Sequence, residues 1–462
     1  MNEFNDLRLI KESDIFLVPL CLLVLYVIAY TTRKKYRKTE LEKYFMPALF
    51  LRFLFAFIYA AVIQFYYGYG DTSLYYQALT DMRNAMVNDP EAWKEIFLNL
   101  KLSSNGTLYP YFMYDNGAFT HYYMMNLSNY MVPRFALPFS FVFSNSYLAI
   151  CFCLSMFSFA GCWRVFKMFT EMYPHLHKKF AIAILFLPSV LFWGGSLLKD
   201  SICLGAMGFA LYAIYNIVIK KRKITSSLII LIFSFFLIYN IKPYIILCMV
   251  PALLLWFFLQ FRSRIPDKTL RTIAGFLFTF ISVGVGIVAL QSLTQSEMTS
   301  QYSSEKILKT VQGVQGSFGM NTEGAGSSFS VGSASSSVAA TVALFPLGVI
   351  ATLFRPFPWE ARNPLMIISA LEGLLFFYLT FLAFKKIGFR KFFSIAGSDS
   401  VIVFCLVYSI LFAGIVGVTT TNFGALVRYK IPAVPFYLFM LFLVMDKSGK
   451  FSPGIVFSKK YF

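Results

Sequence analysis

Apolar runs recur along the whole chain, most of them about 18 to 22 residues long, enough for a helix to cross a hydrocarbon core of about 30 Å. They centre near 14–32, 44–65, 146–163, 180–196, 201–219, 226–241, 245–261, 272–290, 365–384, 401–420 and 431–445. The pattern predicts an all-α fold, a polytopic integral membrane helical bundle of about eleven transmembrane helices forming one membrane domain over 1–462.

The polar positions between the runs alternate in character. Short basic clusters occupy every second connection: Arg33 to Lys43, Arg164 to Lys179, Lys220 to Lys223, Arg262 to Arg271, Lys385 to Lys391 and Lys447 to Lys460. They contain most of the 41 Lys and Arg. By the positive-inside rule these connections are cytoplasmic, which puts the N-terminus outside and the C-terminus inside. The run at 337–354 breaks this parity, because a full crossing there would invert everything after it. With Phe345-Pro346-Leu347-Gly348 at its centre it reads as a re-entrant or interfacial hairpin, a geometry that needs protein or a water-filled cavity around its backbone.

Two outer loops are long. The first, 66–145, is rich in Tyr, Met and Asn and predicts interfacial helices over Thr72 to Val87 and Pro90 to Leu100. The second, 291–364, holds the Gly/Ser-rich stretch Gly313 to Ser337 before the hairpin. That stretch has linker composition, and its glycines lack the Gly-Lys-Ser/Thr ending of a phosphate-binding loop.

Composition agrees with this picture and changes one part of it. Hydrophobic residues make up 58% and charged residues 14%, and mean hydropathy is +0.65, outside the range of soluble globular domains. The net charge of +19 would fit a nucleic-acid binder, but its excess lies in the topogenic clusters, so no nucleic acid is expected as a partner. All seven cysteines fall in apolar runs and read as core residues. With only three His, no Cys/His metal site is indicated. The first apolar run has its positive charges after it, so it reads as a retained span and not as a cleaved signal.

Charges beyond topological need then stand out on the outer side. Tyr69-Gly70-Asp71-Thr72-Ser73-Leu74-Tyr75-Tyr76 follows the second span. Asp71 reads either as an N-cap or as a general base that takes a proton from an acceptor hydroxyl, with Tyr75 and Tyr76 available to stack on a sugar. The hairpin Gly194 to Ser201 carries Lys199 and Asp200, and the next outer turn carries Lys242. Both lysines offer point charges for a phosphate, or merely snorkel. The elbow Phe354 to Pro364 carries Arg355, Glu360 and Arg362, and Asn422 to Lys430 carries Arg428; each is either an interfacial belt with surface pairs or a set of guanidinium forks for an anion. Arg52 and Glu372 lie within spans and are expected to face the bundle interior.

The Gly70-Asp71 element with Tyr75 in a long outer loop, the short inner and longer outer connections, and the outer cations together resemble the GT-C superfamily of membrane glycosyltransferases and the neighbouring Wzy-like polysaccharide polymerases. The likeness is architectural and covers nearly the whole chain. Two departures stand out: the aspartate follows the second span, not the first, and no second acidic residue adjoins it, so a divalent metal is not indicated and no cofactor is expected. The resemblance implies transfer of a sugar or oligosaccharide from a polyprenyl phosphate or diphosphate at the outer face of a bacterial cytoplasmic membrane. No nucleotide takes part, since nucleotide sugars are not available there. In that reading Asp71 is catalytic, and Tyr75, Lys199, Asp200, Lys242, Arg355, Glu360, Arg362 and Arg428 bind substrate. A polymerase is the nearest alternative. A transporter or lipid-linked oligosaccharide flippase is the alternative from another class, and it would place ionisable groups near the midplane.

Overall fold

The computed structural model describes residues 8–113, 118–262, 343–420 and 422–451, with a few more between 265 and 284. Among them every long element is a helix, and eight helices are long and apolar enough to cross a membrane. The chain divides into two compact units, Met1–Pro243 and Tyr244–Phe462.

In the first unit the spanning helices are α1 (Asp14–Arg33), α2 (Glu42–Val62, continuing as a π-helical turn to Tyr67), α8 (Tyr147–Met172), α11 (Lys199–Ile214, likewise continuing to Lys220) and α12 (Ile224–Ile241). α8 is the central post, packed by α1, α2, α11 and the following short helix α9 (His177–Leu185). Its approach to α11 is closest where glycines face each other. A Cβ on Gly161 would lie 2.2 Å from the Gly205 carbonyl oxygen, and one on Gly208 would lie 2.1 Å from that of Gly161. Small residues let two backbones meet where no hydrophobic drive separates protein from lipid.

The run at 180–196 is not one span. It folds as α9 (His177–Leu185) and α10 (Pro188–Trp193), because Pro188 has no amide to continue the helix and Leu187 before it turns extended. Arg52 of α2, 1% exposed, donates from Nη1 to the Val190 carbonyl at 2.5 Å and so pins α10 from the neighbouring helix.

The segment between α2 and α8 folds into α3 (Asp71–Asn88), α4 (Pro90–Leu98), the short α5 (Tyr109–Met113) and α6 (Ala118–Met124), and α7 (Leu127–Val142). The first two are helical where helices were expected, over Thr72 to Val87 and Pro90 to Leu100. α7 was not expected; it carries Pro133 and Pro138 inside and packs against α3, α8, α11 and α12.

The second unit holds α13 (Pro243–Phe261) and the helices Pro364–Ile387 and Ser400–Thr419, each long enough to span. The apolar run at 431–445 forms Val434–Lys447, bent by 61° from the preceding Phe423–Tyr429. Phe345–Phe354 has 10 residues, about half the length a crossing needs. It lies against Ser400–Thr419 through another glycine contact, a Cβ on Gly417 falling 2.0 Å from the Gly348 oxygen. Residues 337–342, the loop 291–336 and most of the expected span 272–290 lie outside the described residues.

Candidate functional site

In the first unit, two of the expected site residues, Lys199 and Tyr75, meet the start of α7. Asn126 caps that helix, its side chain accepting from the Ser128 amide at 2.9 Å and from the Ser128 hydroxyl at 2.7 Å. Lys199, at the first position of α11, donates from Nζ to Ser128 Oγ at 2.7 Å. The neighbouring Asn129 accepts at Oδ1 from the Tyr75 hydroxyl at 3.4 Å and donates to the Tyr123 carbonyl at 2.8 Å. The Tyr75 hydroxyl also lies 3.2 Å from that of Tyr123. Asp71 stands one turn before Tyr75 on the same face of α3.

The capping reading of Asp71 is corrected by this geometry. Gly70 occupies the cap in an extended conformation, its carbonyl accepting from Ser73, and Asp71 is the first helical residue. Its charge there is favoured by the helix dipole. It also acts on its neighbour: burial, and next the Asp71 charge, push the Tyr69 phenol up to about 12. Gly70 itself is not sterically required, since an added Cβ would be 3.4 Å from Ile63.

The stacking role of the tyrosines also changes. Tyr75 is 0% and Tyr76 1% exposed, so neither ring offers a face to a sugar. Tyr76 donates to the Asn145 carbonyl at 2.7 Å, while Thr72 bonds the Tyr147 hydroxyl at 2.8 Å. These buried bonds fix α3 against the start of α8. The same helix buries Asp81, which accepts from Gln77 at 3.1 Å.

Asp200 and Lys242 are engaged with each other. Lys242 Nζ donates to Asp200 Oδ1 at 2.5 Å, with both side chains at 4% exposure or less. This buried pair ties the end of α12 to the first turn of α11, so Lys242 is not the solitary outer lysine its place in the sequence implied.

In the second unit the elbow after Phe354 is internally neutralised. Arg355 Nε lies 3.0 and 3.2 Å from the two Glu360 oxygens, and its Nη2 reaches the same carboxylate. The Phe357 amide adds a bond to Glu360 at 2.8 Å. Burial pushes the Glu360 carboxyl up, but the Arg355 bonds, the Phe357 amide and the Arg355 charge outweigh it and hold the group below its ordinary 4.5. The Arg355 guanidinium also lies 5.0 Å from the Phe423 ring, and Phe357 stacks on the exposed Trp359 at 4.9 Å. Arg362 is exposed, while Arg428 is half-buried at the end of Phe423–Tyr429.

Sequence reading missed Lys430, which is fully buried at the bend after Tyr429 and donates to the Arg355 carbonyl at 3.2 Å. It also missed Ser128 and Asn129; the Asn126-Leu127-Ser128 cap pattern was the available signal. Among the described residues no group of three or more His, Cys, Asp or Glu is placed to hold a metal ion. No protein-family model matches this chain, and no curated protein and no solved structure does.

Proposed function

We propose that this chain is a membrane-embedded glycosyltransferase of GT-C type that takes a sugar from a polyprenyl phosphate or diphosphate at the outer face of a bacterial cytoplasmic membrane. The observation that carries this reading is the meeting of Tyr75 and Lys199 at the start of α7, with Asp71 one helical turn before Tyr75 on α3. A carboxylate, a phenol network and an ammonium at one end of a bundle are the minimum for deprotonating an acceptor and holding an anionic leaving group. Asp71 is the base, Lys199 the charge that meets the phosphate, and the Asp200–Lys242 pair fixes the hairpin from which Lys199 projects. Within the second unit Arg362 and Arg428 are separate candidate cations for an anionic group, and the pairing of Arg355 with Glu360 sets the shape of the elbow that carries Arg362. The topology that goes with this has about eleven crossings, the 337–354 hairpin open to the outside, the N-terminus outside and the C-terminus inside.

The test uses membranes carrying the full chain, supplied with a synthetic polyprenyl-diphosphate sugar and an alcohol acceptor, with release of polyprenyl diphosphate as the readout. Asp71→Asn is expected to lower the rate by roughly 10²- to 10⁴-fold while insertion is unchanged. Normal turnover by that variant removes Asp71 as the base.

One observation favours a second reading, a transporter or flippase. Helices broken within the membrane beside buried charge are a transporter feature, and the 61° bend in the second unit has Lys430 buried at its break and Glu372 5% exposed on a nearby span. Uptake or flipping of a labelled lipid-linked sugar that survives Asp71→Asn but is lost in Lys430→Met decides for transport.

A further inference from the structure

At the opposite end of the first unit from Asp71 lies a cleft of about 480 Å³ between α1 and α8. Its position follows from chain direction: α1 runs to Arg33, α2 returns from Glu42, and Asp71 comes only after α2 has ended. The walls are apolar and aromatic, with Leu25 and Ile28 on α1 facing Phe157 and Ala160 on α8 and Phe209 on α11. Ile28 is 47% exposed, so the lip opens sideways toward the surface that faces lipid. α1 needs a filler there, because its buried residues are few, limited to Asp14, Cys21, Leu25 and Ala29.

The polar end of the cleft is positive. Lys35 and Arg164 line it with Thr32 and Tyr36, and no carboxylate does. The nearest acidic groups are held by other cations: Glu42 pairs with Arg33 at 3.1 Å, and Glu171 lies 3.8 Å from Lys167 and bonds Lys220. Arg164 is fixed over the Phe209 ring at 4.1 Å and donates to the Ala160 carbonyl at 3.0 Å, which turns its charge across the cleft. Lys35 is exposed at the mouth. Apolar walls ending in two cations complement an amphiphile with a chain inside and an anionic phosphate at the rim.

We infer that this cleft binds one anionic phospholipid of the surrounding leaflet, with an acyl chain between α1 and α8 and its phosphate between Lys35 and Arg164. The lipid completes the packing of α1 against the bundle. This inference rests on the cleft and not on the glycosyltransferase reading.

Native mass spectrometry of the full chain in detergent, titrated with phosphatidylglycerol and with phosphatidylcholine of equal chain length, tests it. Phosphatidylglycerol is expected to bind more tightly, and Lys35→Gln to weaken it about fivefold, the value of about 1 kcal/mol for one cation at a lipid surface. Ala160→Phe, which fills the cleft, is expected to lower binding of both lipids. Equal affinity for the two lipids, or unchanged binding in Lys35→Gln, overturns the assignment. So does displacement by millimolar inorganic phosphate, which marks a site for a free anion, or preference for a polyprenyl phosphate over phosphatidylglycerol. Lys35 is at the surface, so its variant stays interpretable if Ala160→Phe fails to fold.

Discussion

The two sets of cations expected on the outer side, one in each unit, look alike in the sequence and differ in what they bond. In the first unit Lys199 points at a hydroxyl, while Lys242, the lysine of the next outer turn, is sealed into a buried ion pair with Asp200. In the second unit Arg355 turns its fork on Glu360, five residues away on the same elbow. The lesson is that a cation on the side where topology does not call for one can serve a ligand or complete an internal pair. Which of these it does depends on whether a carboxylate lies within reach in space.

The largest expected effect sharpens that contrast. Lys199→Met is expected to lower transfer by about 10²- to 10³-fold, the loss that follows removal of one preorganised stabilising group, with insertion and thermal stability close to those of the parent. Transfer assays on membranes with matched protein amounts measure it. An Lys199 variant that is inactive only because it is absent from the membrane would move Lys199 to the structural class of Lys242.

Lys242→Met is expected to act through the fold. Breaking a buried pair leaves one charge uncompensated and costs roughly 3–5 kcal/mol, seen as loss of folded protein in detergent and a lower midpoint in thermal unfolding. Replacing both partners, Asp200→Leu with Lys242→Met, is expected to recover most of that stability. If the double variant is as unstable as the single ones, the pair does more than satisfy itself.

The all-helical class and most of the spans were legible, because apolar length is a strong signal when the solvent is hydrocarbon. One run was misread as a single helix: Pro188 breaks 180–196 into α9 and α10. The run 431–445 folds as the helix Val434–Lys447, and the 61° bend from Phe423–Tyr429 lies before it. α7 was not foreseen at all: it carries Pro133 and Pro138 inside, and both are tolerated in a helix packed by α3, α8 and α11. Tyr75 and Lys199 were named from sequence, but their meeting point was not, since it is built on Ser128 and Asn129 of that missed helix. Ion pairs such as Asp200–Lys242 join residues from successive outer turns, and residue spacing alone does not reveal them.

The smallest effect belongs to the Arg355–Glu360 pair, whose side chains remain 23% and 18% exposed. A partly solvated pair of this kind contributes about 0–1 kcal/mol, so Glu360→Gln is expected to leave global unfolding almost unchanged. The pH dependence is the more sensitive probe. The Glu360 carboxyl is held below its ordinary 4.5 by Arg355 and the Phe357 amide, so its stabilising contribution is complete above that value. It declines only as pH falls through the lower folded value. Acidification is therefore expected to release the elbow from 355 to 360 below pH 4.5 and not between 7 and 5. Hydrogen exchange at the Phe357 amide, which donates to Glu360, reports this directly. Protection corrected for intrinsic rates should be flat to pH 5 and then drop, and in Glu360→Gln the drop should disappear. A drop already complete at pH 5 would mean that burial, not Arg355, governs this carboxylate, and Arg355 would then be the freer of the two to meet a phosphate.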